Sequence, residues 1–230
     1  MSKQDGLDIG DRMKRYEAVF NWTLPRRVPV ICRIDGRAFH TITRKRFGKN
    51  WSMEFIEQMI ETAKVVSKDI QGCNFCYSQS DEISFLITDY KTISTNAWFD
   101  YNASKMISIT ASLASAVFSR LHGKNVCFDS RVLSVPQDDV TNLFLWRQID
   151  ATRNAIQMAG REHFSHKELF QKNCNEIQEM LFQKYKINFN DYPIVRKRGF
   201  CIVNGEVDLN IPIFSKDRNY VDKHVYIRED

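Results

Sequence analysis

The 230-residue sequence is poor in residues that break regular structure, with only 9 glycines and 5 prolines. It also lacks any run of eighteen uncharged apolar residues, the length at which a transmembrane helix is expected. Residues 1–10 contain no apolar segment of the kind found in secretory signal peptides. The composition, 43% hydrophobic and 27% charged, therefore favours a compact, ordered protein. We expect it to be cytoplasmic, with no membrane partner.

Metal-binding cysteine patterns are equally scarce. Of six cysteines, only Cys73 and Cys76 have C-x-x-C spacing, and a zinc site would need a second pair or nearby histidines. Both fall in a predicted strand, where odd spacing points two side chains to opposite faces. We therefore interpret them as ordinary buried thiols.

Positive charge is modest in total but clustered. The formal net charge is +5, and two basic runs stand out, at residues 44–46 and 196–198. Such runs either lie on a solvated surface or contact several phosphates at once. Nucleic-acid binding is therefore one hypothesis among others at this point.

Hydrophobic periodicity predicts a strand, a helix and a hairpin in the first part of the chain. Residues 28–34 are apolar on both faces and rich in β-branched side chains, which is typical of a buried strand. Residues 51–70 carry apolar side chains at helical spacing. Two short strands, 74–78 and 83–88, are joined by a polar stretch. This order favours an α+β, ferredoxin-like antiparallel sheet with helices on one face.

The rest of the chain adds helices and two more strands. The predicted elements are a helix at 102–121, a strand at 131–135, helices at about 139–161 and 167–185, a strand at 199–203, and a polar tail. We divide the chain into an N-terminal part that contains most of the sheet, residues 1–136, and a C-terminal part with additional helical segments packed on it, residues 137–230. The pattern leaves open whether these form one continuous domain.

Acidic residues occur where the predicted strands end. Asp35 and Gly36 follow the first strand, and Asp81 and Glu82 lie at the tip of the hairpin. If these strands are neighbours, Asp35 and Asp81 share a sheet edge and can hold two Mg²⁺ ions about 3.5–4 Å apart. Gly36 would let its carbonyl approach a metal. Asp-Gly and Ser-Asp-Glu are also common turn sequences, so an ordinary structural role stays open.

Several stretches resemble the tRNA-histidine guanylyltransferase superfamily. The matching segments are RIDGRAFH at 33–40, YSQSDEISF at 77–85, ASK at 103–105, WRQID at 146–150 and RK at 196–197. They are collinear and cover most of the chain from Arg15 to about Val203. The resemblance implies a polymerase-palm-like catalytic domain that adds nucleotides to the 5′ end of tRNA in the 3′-to-5′ direction.

The same resemblance assigns roles to individual residues. It implies two Mg²⁺ ions held by Asp35, the backbone of Gly36 and Asp81, with Glu82 as a further catalytic residue that supports the site. The contacts implied for ATP, GTP and other nucleoside triphosphates are Gly36, Arg37, Ala38, Phe39, His40, Lys49, Ser80, Asp81, Lys105 and Asn154. The contacts implied for RNA are Arg153, Arg196 and Lys197. A homo-oligomer, a tetramer built as a dimer of dimers, is also implied.

One segment departs from the family pattern. Enzymes specific for histidine tRNA carry His-Ile-Asn-Asn-Leu-Tyr-Asn after the Trp-Arg-Gln-x-Asp match, whereas this chain has TRNAIQM at 152–158. Only Asn154 agrees in identity, and Thr152 replaces the leading histidine. Because that segment is tied to recognition of the histidine anticodon, the resemblance favours a protein that repairs 5′-truncated tRNAs after ATP activates the 5′-monophosphate.

Other functions stay open on the residues alone. A guanylyltransferase specific for histidine tRNA is one alternative, and a palm-fold nucleotide cyclase is another, because it also uses two acids and magnesium. A third is a non-catalytic RNA-binding module. The presence of both acids together with Ser80 and Lys105 argues against an inactive site.

Overall fold

The computed structural model describes residues 6, 8–39, 41 and 52–229. Within these residues the helices are α1 Ile9–Ala18, α2 Met53–Asp69, α3 Ala103–His122, α4 Gln137–His163, α5 His166–Leu169, α6 Cys174–Tyr185, α7 Ile194–Arg198 and α8 Asn219–Asp222. The strands are β1 Val30–Gly36, β2 Cys73–Gln79, β3 Glu82–Ile87, β4 Phe128–Ser134, β5 Phe200–Val203 and β6 Glu206–Asp208. Short 3-10 helices occupy Trp98–Tyr101 and Phe189–Asp191.

The six strands form one antiparallel sheet in the order β4-β1-β3-β2-β5-β6. The first strand therefore lies beside the hairpin, as the two-acid hypothesis requires. This mixed architecture confirms the predicted α+β class with an antiparallel sheet.

Helices α2 and α3 cover one face of the sheet. Each begins at a side-chain cap, because Ser52 accepts a hydrogen bond from the Phe55 amide and Asn102 accepts one from the Lys105 amide. Gly123, with φ of 73°, ends α3 in the left-handed conformation that glycine adopts without strain. The buried cluster between helices and sheet includes Phe39, Phe55, Met59, Met106, Phe118, Cys32, Phe85 and Phe128.

The other face is covered in part by the start of α4 and by the C-terminal segment. Their buried residues, which include Val140, Phe144, Ile211, Phe214, Val221 and Val225, pack against Ile31, Phe75, Tyr77 and Leu86 of the sheet. Residues 204–229 are thus not merely the polar tail that the sequence suggested. Strands β5 and β6 also extend the sheet formed by residues before 136. The division at residue 136 stays a prediction.

A third apolar cluster lies between the second half of α4 and α6, and includes Ile156, Ala159, Ile177 and Leu181. The prediction of one helix at 167–185 is wrong. Two helices occur there, because Asn173 and Glu176 form a capping box that begins α6. In the described part of the chain, no helix has the length and apolar character needed to cross a membrane.

The cysteines in the described structure are free thiols. Cys73 and Cys76 both pack into the cluster beneath α2 and α3, rather than on opposite faces. The pairing of β2 with β3 shifts register between Cys73 and Phe75. This irregularity cancels the alternation on which the prediction of opposite faces relied.

Candidate active site

The predicted acids meet at one end of the sheet. In the pairing of β1 with β3, Asp35 lies directly opposite Glu82, and the Gly36 amide donates a hydrogen bond of 3.0 Å to the carbonyl of Asp81. The hairpin turns tightly at Ser80, which adopts φ of 57°. Asp81 is therefore held at the turn, immediately beside the end of β1.

Gly36 is required by packing as well as by position. A Cβ atom at this residue would overlap the ring of Phe39, which folds back under the strand end. The Phe39 ring is 1% exposed and contacts the rings of Phe55, Phe118 and Phe128. Because the ring belongs to the core, we assign any nucleotide contact by Phe39 to its backbone.

Glu82 is engaged by an arginine from α4. Arg147 donates from Nε to Oε1 and from Nη2 to Oε2, each at 2.7 Å, and both side chains are buried. Arg147 Nη2 also lies 3.4 Å from Asp150 Oδ2. Both carboxylate oxygens of Glu82 thus have a protein partner, which suits a residue that positions the hairpin.

Burial dominates the electrostatics of the acids. It raises the pKa of Asp81 to about 6, with the Asp35 carboxylate acting in the same direction. The Ser80 hydroxyl opposes this shift by donating to Asp81 Oδ1 at 2.6 Å. Burial also raises the pKa of Asp35, followed by repulsion from Asp129. Two partly buried carboxylates of like charge form a site that a divalent cation would stabilise.

The donor set fits magnesium rather than a softer metal. In the described residues there is no group of three or more His, Cys, Asp and Glu side chains that could hold a metal ion. Magnesium needs only one or two protein carboxylates, because waters and substrate phosphates complete its shell. Asp35 and Asp81 can supply these oxygens, and the Gly36 carbonyl is close by in the chain.

A cavity opens beside the hairpin. It has a volume of about 80 Å³ and extends between α2, α4, α7 and the C-terminal end of β2. Apolar side chains make up much of its wall, among them Ala151, Ala155, Met158, Phe189 and Tyr192. Its polar lining includes four residues of the predicted nucleotide and RNA contacts: Ser80, Asn154, Arg196 and Lys197. The tertiary structure thus brings together residues from three distant parts of the sequence.

Lys105 is not brought to the acids. The Ser115 hydroxyl, in the second half of α3, accepts from the Phe128 amide at 2.9 Å, and Phe128 is in register with Gly36. Lys105 precedes Ser115 by ten residues, which is about 15 Å along a helix. It therefore lies toward the opposite end of the sheet from Asp35.

The remaining predicted contacts divide into exposed and undescribed residues. Arg37 and Ala38 form the exposed turn after β1, where the Arg37 amide donates to the Cys127 carbonyl at 2.9 Å. Arg153 is exposed and paired with Asp150. His40 and Lys49 lie outside the described residues.

Several residues at this end of the sheet were not predicted from the sequence. Asp129 lies directly opposite Asp35 in the pairing of β1 with β4, and Arg131 lies opposite Arg33. Arg131 donates to Asp129 at 2.9 Å. Only strand register could identify these neighbours. Arg147, by contrast, lies within the matched segment WRQID, so the family resemblance did contain a signal for it.

Comparisons with known proteins identify the family of the chain. The family model described as tRNAHis guanylyltransferase (Thg1) matches residues 10–136. The chain is similar to the solved structure of a bacterial tRNA(His) guanylyltransferase (Thg1)-like protein in complex with ATP, with a TM-score of 0.92 and 43% identity, covering 95% of this chain and 100% of that one. A structure of the same description in complex with GTP gives a TM-score of 0.86 and 41% identity, over 95% and 99% of the two chains. The tRNA(His) guanylyltransferase of Schizosaccharomyces pombe is 27% identical over 219 residues, which are 85% of this chain and 80% of that protein.

Proposed function

The chain belongs to the tRNAHis guanylyltransferase (Thg1) family, whose members are nucleotidyltransferases, and we propose that it performs templated 3′-to-5′ addition of nucleotides to the 5′ ends of truncated tRNAs. The observation that carries this proposal is the meeting of Asp35 and Asp81 at one end of a palm-like sheet. Both acids lie in the segments that carry the family resemblance. The substrates are tRNA, ATP and further nucleoside triphosphates, in keeping with the ATP and GTP complexes of similar proteins.

The reaction has two balanced steps. An oxygen of the tRNA 5′-monophosphate attacks the α-phosphorus of ATP, the bond between the α and β phosphates breaks, and pyrophosphate leaves. The 3′-hydroxyl oxygen of an incoming nucleotide then attacks the activated 5′ phosphorus, loses its proton, and AMP departs. Base selection comes from pairing with the opposite strand of the acceptor stem. The protein therefore needs to position phosphates rather than read bases.

The chain's own residues position these groups. Asp35, Asp81 and the Gly36 carbonyl would hold two magnesium ions, which supply positive charge to the reacting phosphates and favour ionisation of the attacking hydroxyl. The Arg147 pair fixes the backbone of Glu82 and, through it, the adjacent Asp81. Burial of these acids lowers the local dielectric constant and strengthens their electrostatic interaction with substrate charge.

We place a nucleotide in the cavity beside the hairpin. Ala151, Ala155 and Met158 offer an apolar wall for a base. Lys197 and Arg196 bring positive charge to the same cavity, and Ser80 links it to Asp81. An apolar wall with a few convergent polar groups is typical of small-molecule binding sites.

Repair is favoured over histidine identity by the segment 152–158. Thr152, which replaces the expected histidine, donates its hydroxyl to the Gln148 carbonyl at 3.0 Å within its own helix. Asn154, the one matching residue, lies 3.4 Å from Asp150 and lines the cavity rather than a distant RNA surface. The segment thus supports nucleotide binding more than reading of an anticodon.

An assembly of several copies is part of the proposal. Helix α1 has no buried residue, and the exposed apolar side chains along it and just after it include Ile9, Tyr16, Val19 and Phe20. A ten-residue helix is marginal in water unless it packs on something. For the tetramer that the family resemblance implies, sedimentation velocity should give a mass near four times 27.0 kDa. A monomer would contradict the assembly.

The decisive experiment uses purified protein with magnesium, ATP, all four nucleoside triphosphates and a tRNA that lacks its first nucleotide, with products resolved by length. We expect extension by one residue, and a loss of at least about 1,000-fold in Asp35→Asn and Asp81→Asn, since metal charge contributes several kcal/mol. Asp69→Asn, an exposed carboxylate at the end of α2, is the matched control. Cyclic nucleotide products without tRNA would point to a cyclase. Activity confined to histidine tRNA would contradict the repair assignment.

A further inference from the structure

Trp146 exposes a large aromatic surface next to the acids. It lies on α4, directly before the arginine that binds Glu82, and its residue is 55% exposed. Ile149, one turn further along the same helix face, is 60% exposed. Trp146 and Ile149 thus place two exposed apolar side chains side by side near the acids, and a contiguous apolar surface is more informative than a single exposed residue.

The indole of Trp146 packs against a fixed side chain of its own helix. The guanidinium of Arg147 lies 4.6 Å from the ring centre, and the same group is fixed by its two hydrogen bonds to Glu82. Phe144, two residues before Trp146, is buried against the sheet. The ring is thus anchored on a rigid helix, while more than half of the residue's surface stays open.

Positive charge lies beside the open ring. The guanidinium of Arg33 is 6.0 Å from the ring centre, and Arg33 shares a face of β1 with Asp35, two residues away. Its Nε atom is buried with no hydrogen-bond partner among the described residues. Because a ligand that covers Trp146 also shields the Arg33 guanidinium from water, it must bring hydrogen-bond acceptors or negative charge close to that group.

This requirement selects among possible occupants. An apolar surface of a second protein copy would remove the Arg33 guanidinium from water without compensation, which is costly. The end of an RNA strand brings a flat base and phosphate oxygens together. Arg33 and Asp35 are two residues apart on β1, which is about 6.6 Å along a strand. The distance from a nucleotide's 5′ phosphate to its base is of the same order.

We propose that the indole of Trp146 stacks on the 5′-terminal base of the RNA whose phosphate reacts at Asp35 and Asp81. The proposal rests on the proposed function and names the RNA-contacting residue of that same site. Stacking places the terminal phosphate over the acids and leaves the apolar cavity beside Ser80 to the nucleotide. Because every base has an aromatic face, such a contact suits a protein that accepts many tRNAs.

The test is a thermodynamic cycle on binding, measured without nucleoside triphosphates so that it does not depend on catalysis. Binding of wild type and Trp146→Ala is measured to two tRNAs that both lack the first nucleotide. One keeps the base of its new 5′-terminal residue, and the other is abasic at that residue but keeps its phosphate. Loss of the base and loss of the indole should each weaken binding roughly tenfold or more, about 1.4 kcal/mol. The two losses together should cost little more than either alone.

Matched variants separate stacking from a general loss of aromatic surface or of assembly. Trp22→Ala removes a tryptophan that is 52% exposed, near the start of α3 and away from the acids, and should bind both tRNAs as wild type does. Trp146→Phe should keep most of the coupling. Additive losses would overturn the proposal, and a changed sedimentation of Trp146→Ala beside them would assign the ring to assembly instead. A drop in ATP or GTP affinity without a drop in tRNA affinity would also overturn it, by assigning the ring to the nucleotide. Coupling in a protein that fails to extend RNA would instead count against the proposed reaction alone.

Discussion

Arg147 donates hydrogen bonds of 2.7 Å from both Nε and Nη2 to the two carboxylate oxygens of Glu82. This pair joins α4, from the C-terminal part of the chain, to the hairpin that carries Asp81. Both partners are buried, so the pair is shielded from water. The position of one acid in the candidate site is thus set by a helix residue 65 positions away in the sequence from Glu82.

The first prediction concerns the stability of this pair. Arg147→Met should lower the free energy of unfolding by about 3–5 kcal/mol, because it leaves the Glu82 carboxylate buried without a partner. The double variant Glu82→Leu with Arg147→Met should recover most of that loss, since apolar pairs often replace buried ion pairs without cost. Urea unfolding of the three proteins measures both effects. Equal stability of Arg147→Met and wild type would contradict the structural role.

The second prediction tests the cavity beside Ser80. Ala155→Leu should fill part of the cavity and raise the KM for ATP about tenfold or more, because the larger side chain occupies the space of the nucleotide base. Gln157→Leu, on the same helix but not in the cavity wall, provides the control. Initial rates of tRNA activation against ATP concentration measure the effect. An unchanged KM would remove the nucleotide from this cavity.

The third prediction concerns pH. Burial lowers the pKa of His224 from 6.5 to about 4, and its ring is stacked on Phe75. Below pH 6.5 the unfolded chain binds a proton that the folded chain does not. Stability should therefore fall as the pH drops from 6.5 toward 4, by at most about 1.4 kcal/mol per pH unit from this group. Above pH 6.5 the group contributes no pH dependence.

His224→Phe keeps an aromatic ring but cannot bind a proton. The free energy of unfolding of this variant should therefore change less between pH 6.5 and 4 than that of wild type. Urea unfolding between pH 4.5 and 7.5 compares it with wild type, so that other titrating groups cancel. His166→Gln, at an exposed position, should keep the slope of wild type. A parallel offset of the His224→Phe curve, with no change in slope, would show that this histidine is not the origin.

The fourth prediction concerns a glycine that supports the hairpin. Gly199 adopts φ of +83°, and a Cβ atom there would overlap the carbonyl oxygen of Ser78. Gly205 adopts φ of +86° with open space around it. Gly205→Ala should cost about 1–2 kcal/mol of stability from backbone conformation alone. Gly199→Ala should cost roughly 3–4 kcal/mol, because β2 must also shift. Thermal unfolding measures the stability of both variants. Equal losses of stability would contradict the close approach of residue 199 to the Ser78 carbonyl.

Local pattern predicted the elements well where packing and periodicity agree. The first strand was expected at 28–34 and occurs at 30–36, and the helix expected at 102–121 occurs at 103–122. The errors fell where a few polar side chains act, as at Asn173, or where apolar residues follow no regular period, as in residues 204–229. Periodicity does not report such effects, because single hydrogen bonds and isolated core contacts leave no repeating signal.

The sequence by itself determined the family, the α+β class and the two acids at strand ends, since these depend on short segments of consecutive residues. Only the tertiary structure decided which distant residues share the site. Strand pairing placed Asp129 beside Asp35, helix packing joined Arg147 to Glu82, and the direction of α3 kept Lys105 away from both. Register and helix direction are set by burial of whole faces over long sequence distances, and no local pattern contains that information.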